Sequence, residues 1–240
     1  MSRLSVEGKL WLAIVSLLFV GLSRVGAQDS GETAPPTAPF VKPPPDFASW
    51  TMTVSRADGS QLPQPAPPAT GKTAPTALAT LELRQQQVAQ TGKIRQEIDT
   101  WSDATKTEDW LVNGIRLHQH PLSHSILVFD PAHMGDLMVA SFARYDFLTI
   151  GWLSPDTYLR AENYQKHLCY HFQKSGGPDQ AWIDVATKQT IAYNDGSKLY
   201  TYVYGPPPAS ELVLPPEYAK AWKQYQDTMN PLILHLPSTK

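Results

Sequence analysis

Apolar and polar residues alternate along much of the chain from Trp50 onward, and this alternation limits the possible folds more than any other feature. Over residues 50–55, Trp, Met and Val alternate with Thr, Thr and Ser. Over residues 93–100, the odd-numbered positions are Lys, Arg, Glu and Asp, and the even-numbered positions include Ile94 and Ile98. Because successive side chains of a strand point to opposite faces, this pattern predicts half-buried antiparallel strands with a charged row opposite an apolar one.

The same reading predicts further strands and two helices. Asn194-Asp195-Gly196 supplies the residues that a tight hairpin turn requires. Ser154-Pro155 is typical of a helix start and predicts a helix to about Asn163, and Pro215-Pro216 precedes a second predicted helix, 217–229. A series of strands with few helices indicates an α+β fold built on a curved sheet. The remaining predicted strands are 76–90, 107–119, 124–130, 137–143, 166–173, 180–185, 190–194 and 198–204.

The N-terminus has the pattern of a secretory signal peptide, predicted as 1–27. Arg3 and Lys9 precede an apolar run from Leu10 to Leu22, and small residues precede a predicted cleavage after Ala27. An uncleaved anchor is the alternative. We therefore expect a periplasmic or secreted protein that has no transmembrane domain after signal cleavage.

Proline divides the chain that follows the predicted signal peptide. The chain has 22 prolines in 240 residues, and many of them lie in two short stretches. Residues 28–45 are predicted to be a disordered, proline-rich tether, because this composition cannot bury a core. A single curved-sheet domain is predicted over 46–240, with a disordered proline-rich loop at 57–75.

Composition excludes several functional classes. A formal charge of −2 provides no basic surface for nucleic acid, so we expect no nucleic-acid partner. A single cysteine excludes an intrachain disulfide framework. Gly71-Lys72-Thr73 resembles the end of a phosphate-binding loop, but the earlier glycine of that motif is replaced by Ala66. We predict no nucleotide site and no cofactor.

The histidines and the cysteine do not form a convincing catalytic or metal site. His118, His120 and His124 are separated by Pro121, which interrupts a strand. His167 and His171 share a strand face with Cys169, but a polar strand face explains this spacing more simply than metal ligation. Cys169 itself is predicted to be buried.

Catalytic motifs are missing as well. The sequence has no G-x-S-x-G elbow and no S-x-x-K pair, and its carboxylates are scattered singly, which suggests no acid–base pair. We therefore predict that the protein is not an enzyme. A metal-dependent enzyme that uses the histidines is an alternative hypothesis, in addition to the two functions described below.

Short motifs between Gln90 and Tyr218 resemble a known family. This part of the chain is similar to exported proteins related to the periplasmic outer-membrane lipoprotein-sorting carriers. The resemblance implies a strongly curved antiparallel β-sheet, an incomplete barrel with one or two covering helices, which holds acyl chains in its hollow. It also implies that the W-x-D-x-x-T segment from Trp182 to Thr187 starts a hairpin. The motifs are 91–95, 101–103, 108–110, 152–155, 169–172, 181–184 and 214–218.

The resemblance predicts where a ligand would bind and leaves two functions open. The first is a non-catalytic envelope protein that binds or carries a lipid, an acyl chain or another hydrophobic small molecule. The second is an envelope structural or protein-interaction module with a filled core and no ligand. In the first case the wall and lid of the hollow would be formed by Ile94, Ile98, Trp101, Trp110, Phe142, Phe147, Trp152, Tyr158 and Leu159.

Overall fold

Eleven strands of the described part of the chain form one antiparallel sheet, with the order β6-β5-β4-β3-β2-β1-β11-β10-β9-β8-β7. The end strands β6 and β7 are not paired with each other, so the sheet formed by the described strands is open. The strands are β1 (Phe47–Arg56), β2 (Leu83–Thr91), β3 (Ile94–Trp101), β4 (Lys106–Val112), β5 (Ile115–Gln119), β6 (Ile126–Phe129), β7 (Tyr158–Tyr164), β8 (His167–Gln173), β9 (Gln180–Asp184), β10 (Thr190–Asn194) and β11 (Lys198–Gly205).

This computed structural model describes residues 34–62, 81–120, 123–135 and 146–233. One α-helix, α1 (Pro216–Ile233), and two short 3-10 helices accompany the sheet in those ranges. The predicted signal peptide 1–27, most of the predicted loop 57–75 and the predicted strand 137–143 lie outside the described residues. No helix in the described part of the chain is long and apolar enough to cross a lipid bilayer.

The two faces of the sheet pack against different parts of the chain. We call the face that carries Trp50, Met52 and Val54 the core face, because these side chains belong to the largest buried cluster. We call the opposite face of β3–β6 the helix face. Trp110 and Leu117 are buried there against Tyr218 of α1, whose hydroxyl donates a hydrogen bond to the Glu108 carbonyl at 3.0 Å.

Aromatic side chains fill the core face of β8–β11 and β1. Phe147 stacks on Tyr193 with ring centroids 3.9 Å apart and also contacts Tyr200. Phe172 is fully buried and meets the edge of Phe40 at 5.9 Å. The segment that precedes β1 therefore contributes to the core, although residues 34–45 contain no helix or strand.

Several sequence predictions are confirmed. The second helix is present as α1. The Asn194-Asp195-Gly196 turn joins β10 to β11. Gly196 has φ +89°, and an added Cβ would lie 2.5 Å from Cβ of Pro178, so this turn accepts only glycine. Cys169 is fully buried on β8, as predicted.

Two element predictions are wrong. The predicted helix 154–163 is a three-residue 3-10 helix, Pro155–Thr157, followed by strand β7. Ser154 and Thr157 do form a capping box, but pairing with β8 outweighs the local helix signal. The predicted strand 107–119 is two strands, because Asn113 and Gly114 adopt φ of 54° and 82° and form a hairpin turn between β4 and β5.

The fold agrees with the prediction at a coarse level. The described chain is mostly β, with one large, curled and open antiparallel sheet and one helix.

Candidate functional site

Strands β3, β4 and β5 bring a row of ionisable side chains together on the core face. Glu97 lies opposite Asp109, and Asp109 lies opposite His118. Residues directly opposite each other in an antiparallel pair share a face, so the charged row of β3 continues across the next two strands. Glu97 is only 4% exposed and is the most buried residue of β3. The sequence expectation that the carboxylates are isolated is therefore wrong.

Arg116 connects these carboxylates. Its Nη1 lies 2.8 Å from Oε2 of Glu97 and 2.5 Å from Oδ2 of Asp109. The other oxygen of Asp109 lies 2.6 Å from Nδ1 of His118. This hydrogen bond raises the pKa of His118, and the charge of Asp109 adds to the effect. The pairs are mostly buried, so their geometry is held more firmly than that of surface ion pairs.

Asp99 extends the network and is its least satisfied member. Burial, aided by the charges of Glu97 and Asp109, raises the pKa of Asp99 to about 6. A hydrogen bond with Gln86 opposes this rise. Oδ1 of Asp99 is buried and has no hydrogen-bond partner in the described residues. An ionised carboxylate that is buried with an unpaired oxygen lowers the stability of the fold at neutral pH. Buried groups with shifted pKa values are common at functional sites.

An open groove of about 550 Å³ adjoins the network at the hairpin ends of β2–β5. Its lining combines apolar groups, cations and amides. Arg95 extends from this lining over the ring of Trp50, 5.2 Å from the centroid, and its Nη1 lies 3.5 Å from both Glu97 and Asp146. Lys93 is exposed and makes no ion pair with a described residue. The groove is lined by Gln90, Gly92, Lys93, Ile94, Arg95, Leu111, Asn113 and Gly114.

The structure divides the residues predicted to wall one hollow. Ile94, Ile98 and Trp110 lie on the helix face, where Trp110 contacts Tyr218 at 6.1 Å between ring centroids. Trp101, Phe147, Trp152 and Tyr158 pack instead with the core-face cluster. The sheet separates side chains on its two faces, so these residues do not form a shared wall. Among those that the structure describes, only Ile94 lines the groove, at the hairpin end of β3 where the two faces meet.

The two remaining predicted residues add nothing to such a wall. Leu159 is 49% exposed at the end of the sheet, because it belongs to β7 and not to a lid helix. Phe142 lies outside the described residues.

A second polar group lies on β7–β9. His171 stacks on Trp182 at 4.6 Å between centroids, and both side chains contact Oε1 of Glu162, at 3.0 and 2.8 Å. Burial lowers the pKa of His171 and raises that of the Cys169 thiol to about 12, so neither group is activated at neutral pH. Within the described ranges, no set of three or more His, Cys, Asp or Glu side chains is arranged to hold a metal ion.

The resemblance placed a hairpin at Trp182–Thr187, and Asp184 builds that turn. Its Oδ1 accepts hydrogen bonds from the backbone of Ala186 and Thr187 and from the Thr187 hydroxyl, at 2.9, 2.7 and 3.0 Å. Its other oxygen lies 2.9 Å from Nδ1 of His167. These contacts explain the motif as a structural turn between β9 and β10.

The network of Glu97, Asp109, Arg116 and His118 could have been found in the sequence. On either side of the Asn113-Gly114 turn, Asp109, Arg116 and His118 alternate with the apolar residues of β4 and β5, in the same phase as the charged row of β3. Placing that turn correctly sets the three charged rows side by side.

No protein-family model matches the chain, and no curated protein is significantly similar to it.

Proposed function

We propose that the chain is an exported, non-catalytic protein that binds an amphiphilic ligand, such as a fatty acid or lipid, in the groove at the hairpin ends of β2–β5. The observation that carries this proposal is the lining of the groove. Ile94 and Leu111 offer apolar surface next to the cationic Lys93 and Arg95. The proposed export rests on the N-terminal sequence alone.

The groove has a suitable size and chemistry for such a ligand. Sites for small molecules usually measure about 300–1,000 Å³ and combine apolar walls with a few polar groups, and the groove of about 550 Å³ falls in that range. Exposed ion pairs contribute only about 0–1 kcal/mol. We therefore expect the acyl part to supply most of the affinity, at about 0.8 kcal/mol per buried methylene, and the cations to orient the head group.

Binding accounts for the ionic network better than catalysis does. Arg116 is engaged by both Glu97 and Asp109, so it offsets part of their negative charge, and Glu97 in turn contacts Arg95 of the groove. Cys169 is fully buried with a raised pKa, which makes it a poor nucleophile. The described charged groups thus position one another, as expected for a preorganised binding surface.

Titration with a fluorescent fatty acid, cis-parinaric acid, tests the proposal directly. We expect saturable binding by the full chain and about tenfold weaker binding by Lys93→Glu, equivalent to ~1.4 kcal/mol. Lys220→Glu is the matched control, since it reverses an exposed charge on α1 that does not line the groove. A wild-type protein that shows no saturable binding would refute the proposal, and equal losses in the two variants would place the ligand elsewhere.

An envelope structural or protein-interaction module remains the second proposal, and a different observation favours it. The core face around Phe147, Tyr193 and Tyr200 is occupied by its own aromatic side chains, as a module without a ligand would require. This function predicts no fatty-acid binding together with a specific envelope-protein partner that is recovered by cross-linking in cells.

A further inference from the structure

Strand β7 forms one end of the sheet, and its outer edge has no strand partner within the described ranges. An end strand presents unpaired backbone donors and acceptors, so proteins either protect it or use it for association. Two large apolar side chains are exposed at this end, Leu159 and Leu168, at 49% and 43%. The edge thus carries exposed apolar surface beside one cation and one anion, Arg160 and Glu162.

The sequence of β7 is complementary to itself when it is read in reverse. Arg160 and Glu162 lie symmetrically about Ala161. If two copies of β7 pair antiparallel with Ala161 on the two-fold axis, Arg160 of each copy lies opposite Glu162 of the other. Opposite charges that face each other across strands stabilise pairing, whereas like charges destabilise it.

Charge also selects this register over its neighbours. A two-fold axis through Glu162 would place the two Glu162 carboxylates opposite each other, and an axis through Arg160 would do the same for the guanidinium groups. A bulge between Tyr158 and Arg160 ends the regular part of the edge, so the regular pairing in this register is confined to Arg160, Ala161 and Glu162, and the choice of register rests on charge. The register centred on Ala161 is the one that pairs every charge favourably.

Within one chain these two side chains already pair with each other, and Glu162 also contacts His171 of β8 at 3.0 Å. Glu162 is held by Trp182, whose Nε1 donates a hydrogen bond to Oε1 at 2.8 Å. Arg160 is 62% exposed, and its Nε lies 2.6 Å from Oε2 of Glu162. In the paired arrangement the two Arg–Glu pairs form one ring of four alternating charges, and the ordering cost is small because Glu162 is fixed beforehand.

We propose that the outer edge of β7 binds a second copy of this chain, antiparallel and in the register centred on Ala161, to form a two-fold symmetric dimer with one continuous sheet. Such an isologous interface needs only one self-complementary surface. The interface is short, so the association is reversible and concentration-dependent. It is independent of ligand binding at the groove.

Sedimentation velocity of the full chain, from about 10 μM to about 1 mM, tests the dimer. We expect a reversible monomer–dimer equilibrium that Arg160→Glu weakens at least tenfold, because the variant faces Glu162 with a like charge, and that Arg160→Lys retains. A protein that stays monomeric throughout overturns the proposal. A dimer that is insensitive to Arg160→Glu assigns association to another surface and also overturns it.

A cysteine cross-link provides a second readout that does not depend on the charge variant. Opposite Cα atoms in an antiparallel pair are about 4.5–5.5 Å apart, which a disulfide can span. Ala161→Cys should therefore form a disulfide-linked dimer under mild oxidation. Val203→Cys, 65% exposed on β11 within the sheet, is the matched control and should cross-link far more slowly. Equal rates for the two variants contradict the proposed register.

Discussion

Replacement of Asp99 by asparagine should stabilise the protein at neutral pH, because it removes a buried negative charge. Burial raises the pKa of Asp99 from 3.8 in the unfolded chain to about 6 in the folded protein. Folding therefore favours the protonated acid, and the cost of the buried charge grows as the pH rises from about 4 to 6. A shift of about two units corresponds to about 3 kcal/mol when the group is fully ionised. Asparagine keeps the shape of the side chain and removes the charge.

Urea unfolding followed by tryptophan fluorescence at pH 4, 5, 6 and 7.5 measures this effect. We expect Asp99→Asn to gain about 1–3 kcal/mol at pH 7.5, with an unchanged m-value, and to gain almost nothing near pH 4. Partial exposure of Asp99 makes the upper value a limit. The wild type should lose stability between pH 4 and 6 relative to the variant.

Asp103→Asn is the matched control, because Asp103 lies fully exposed in the turn after β3 and its pKa is lowered by hydrogen bonds with Thr105. The Asp103→Asn variant should show no gain in the free energy of unfolding at pH 7.5. If Asp99→Asn is less stable than the wild type at that pH, the reasoning is wrong. The ionised Asp99 would then be a favourable partner of Arg116, not a destabilising buried charge.

Three further substitutions test the packing around the sheet, each by chemical denaturation. Cys169→Ser should lower the free energy of unfolding by about 1–3 kcal/mol, and the native wild-type thiol should resist a thiol reagent; rapid labelling contradicts its burial. Phe40→Ala should lower the free energy of unfolding by about 1–3 kcal/mol, because Phe40 packs on Phe172. For the same reason, removal of all residues before Asp46 should lower the melting temperature. An unchanged melting temperature would argue against this contact. Asp184→Ala should cost about 2 kcal/mol, because it removes the acceptor for three hydrogen bonds of the turn; an Asp184→Ala variant as stable as Asp184→Asn would show that these bonds contribute nothing.

Local sequence features predicted most of the strands correctly. Strands β8 to β11 match the predicted strands 166–173, 180–185, 190–194 and 198–204, and the Asn194-Asp195-Gly196 turn separates the last two, since these signals are carried by neighbouring residues. Helix α1 follows from its prolines, which begin a helix by local sterics. These features need no information from distant parts of the chain.

The segment 154–164 shows where local signals fail. Ser154 and Pro155 begin a helical turn, as predicted, yet the chain continues as β7, because most of its residues pair with β8. A helix of this length gains little on its own in water. Pairing with the next strand, β8, which is itself held in the sheet by β9, therefore decided the conformation.

The candidate site depended on the tertiary structure in the same way. By itself the sequence determined that β3 has an apolar row and a charged row, that Cys169 is buried and where the tight turn before β11 lies. Only the tertiary structure decided that Glu97 of the charged row is buried and that Ile94 and Trp110 face α1. The reason is physical: alternation defines two faces but not their surroundings, and a charged face can be buried once neighbouring strands supply counter-charges such as Arg116.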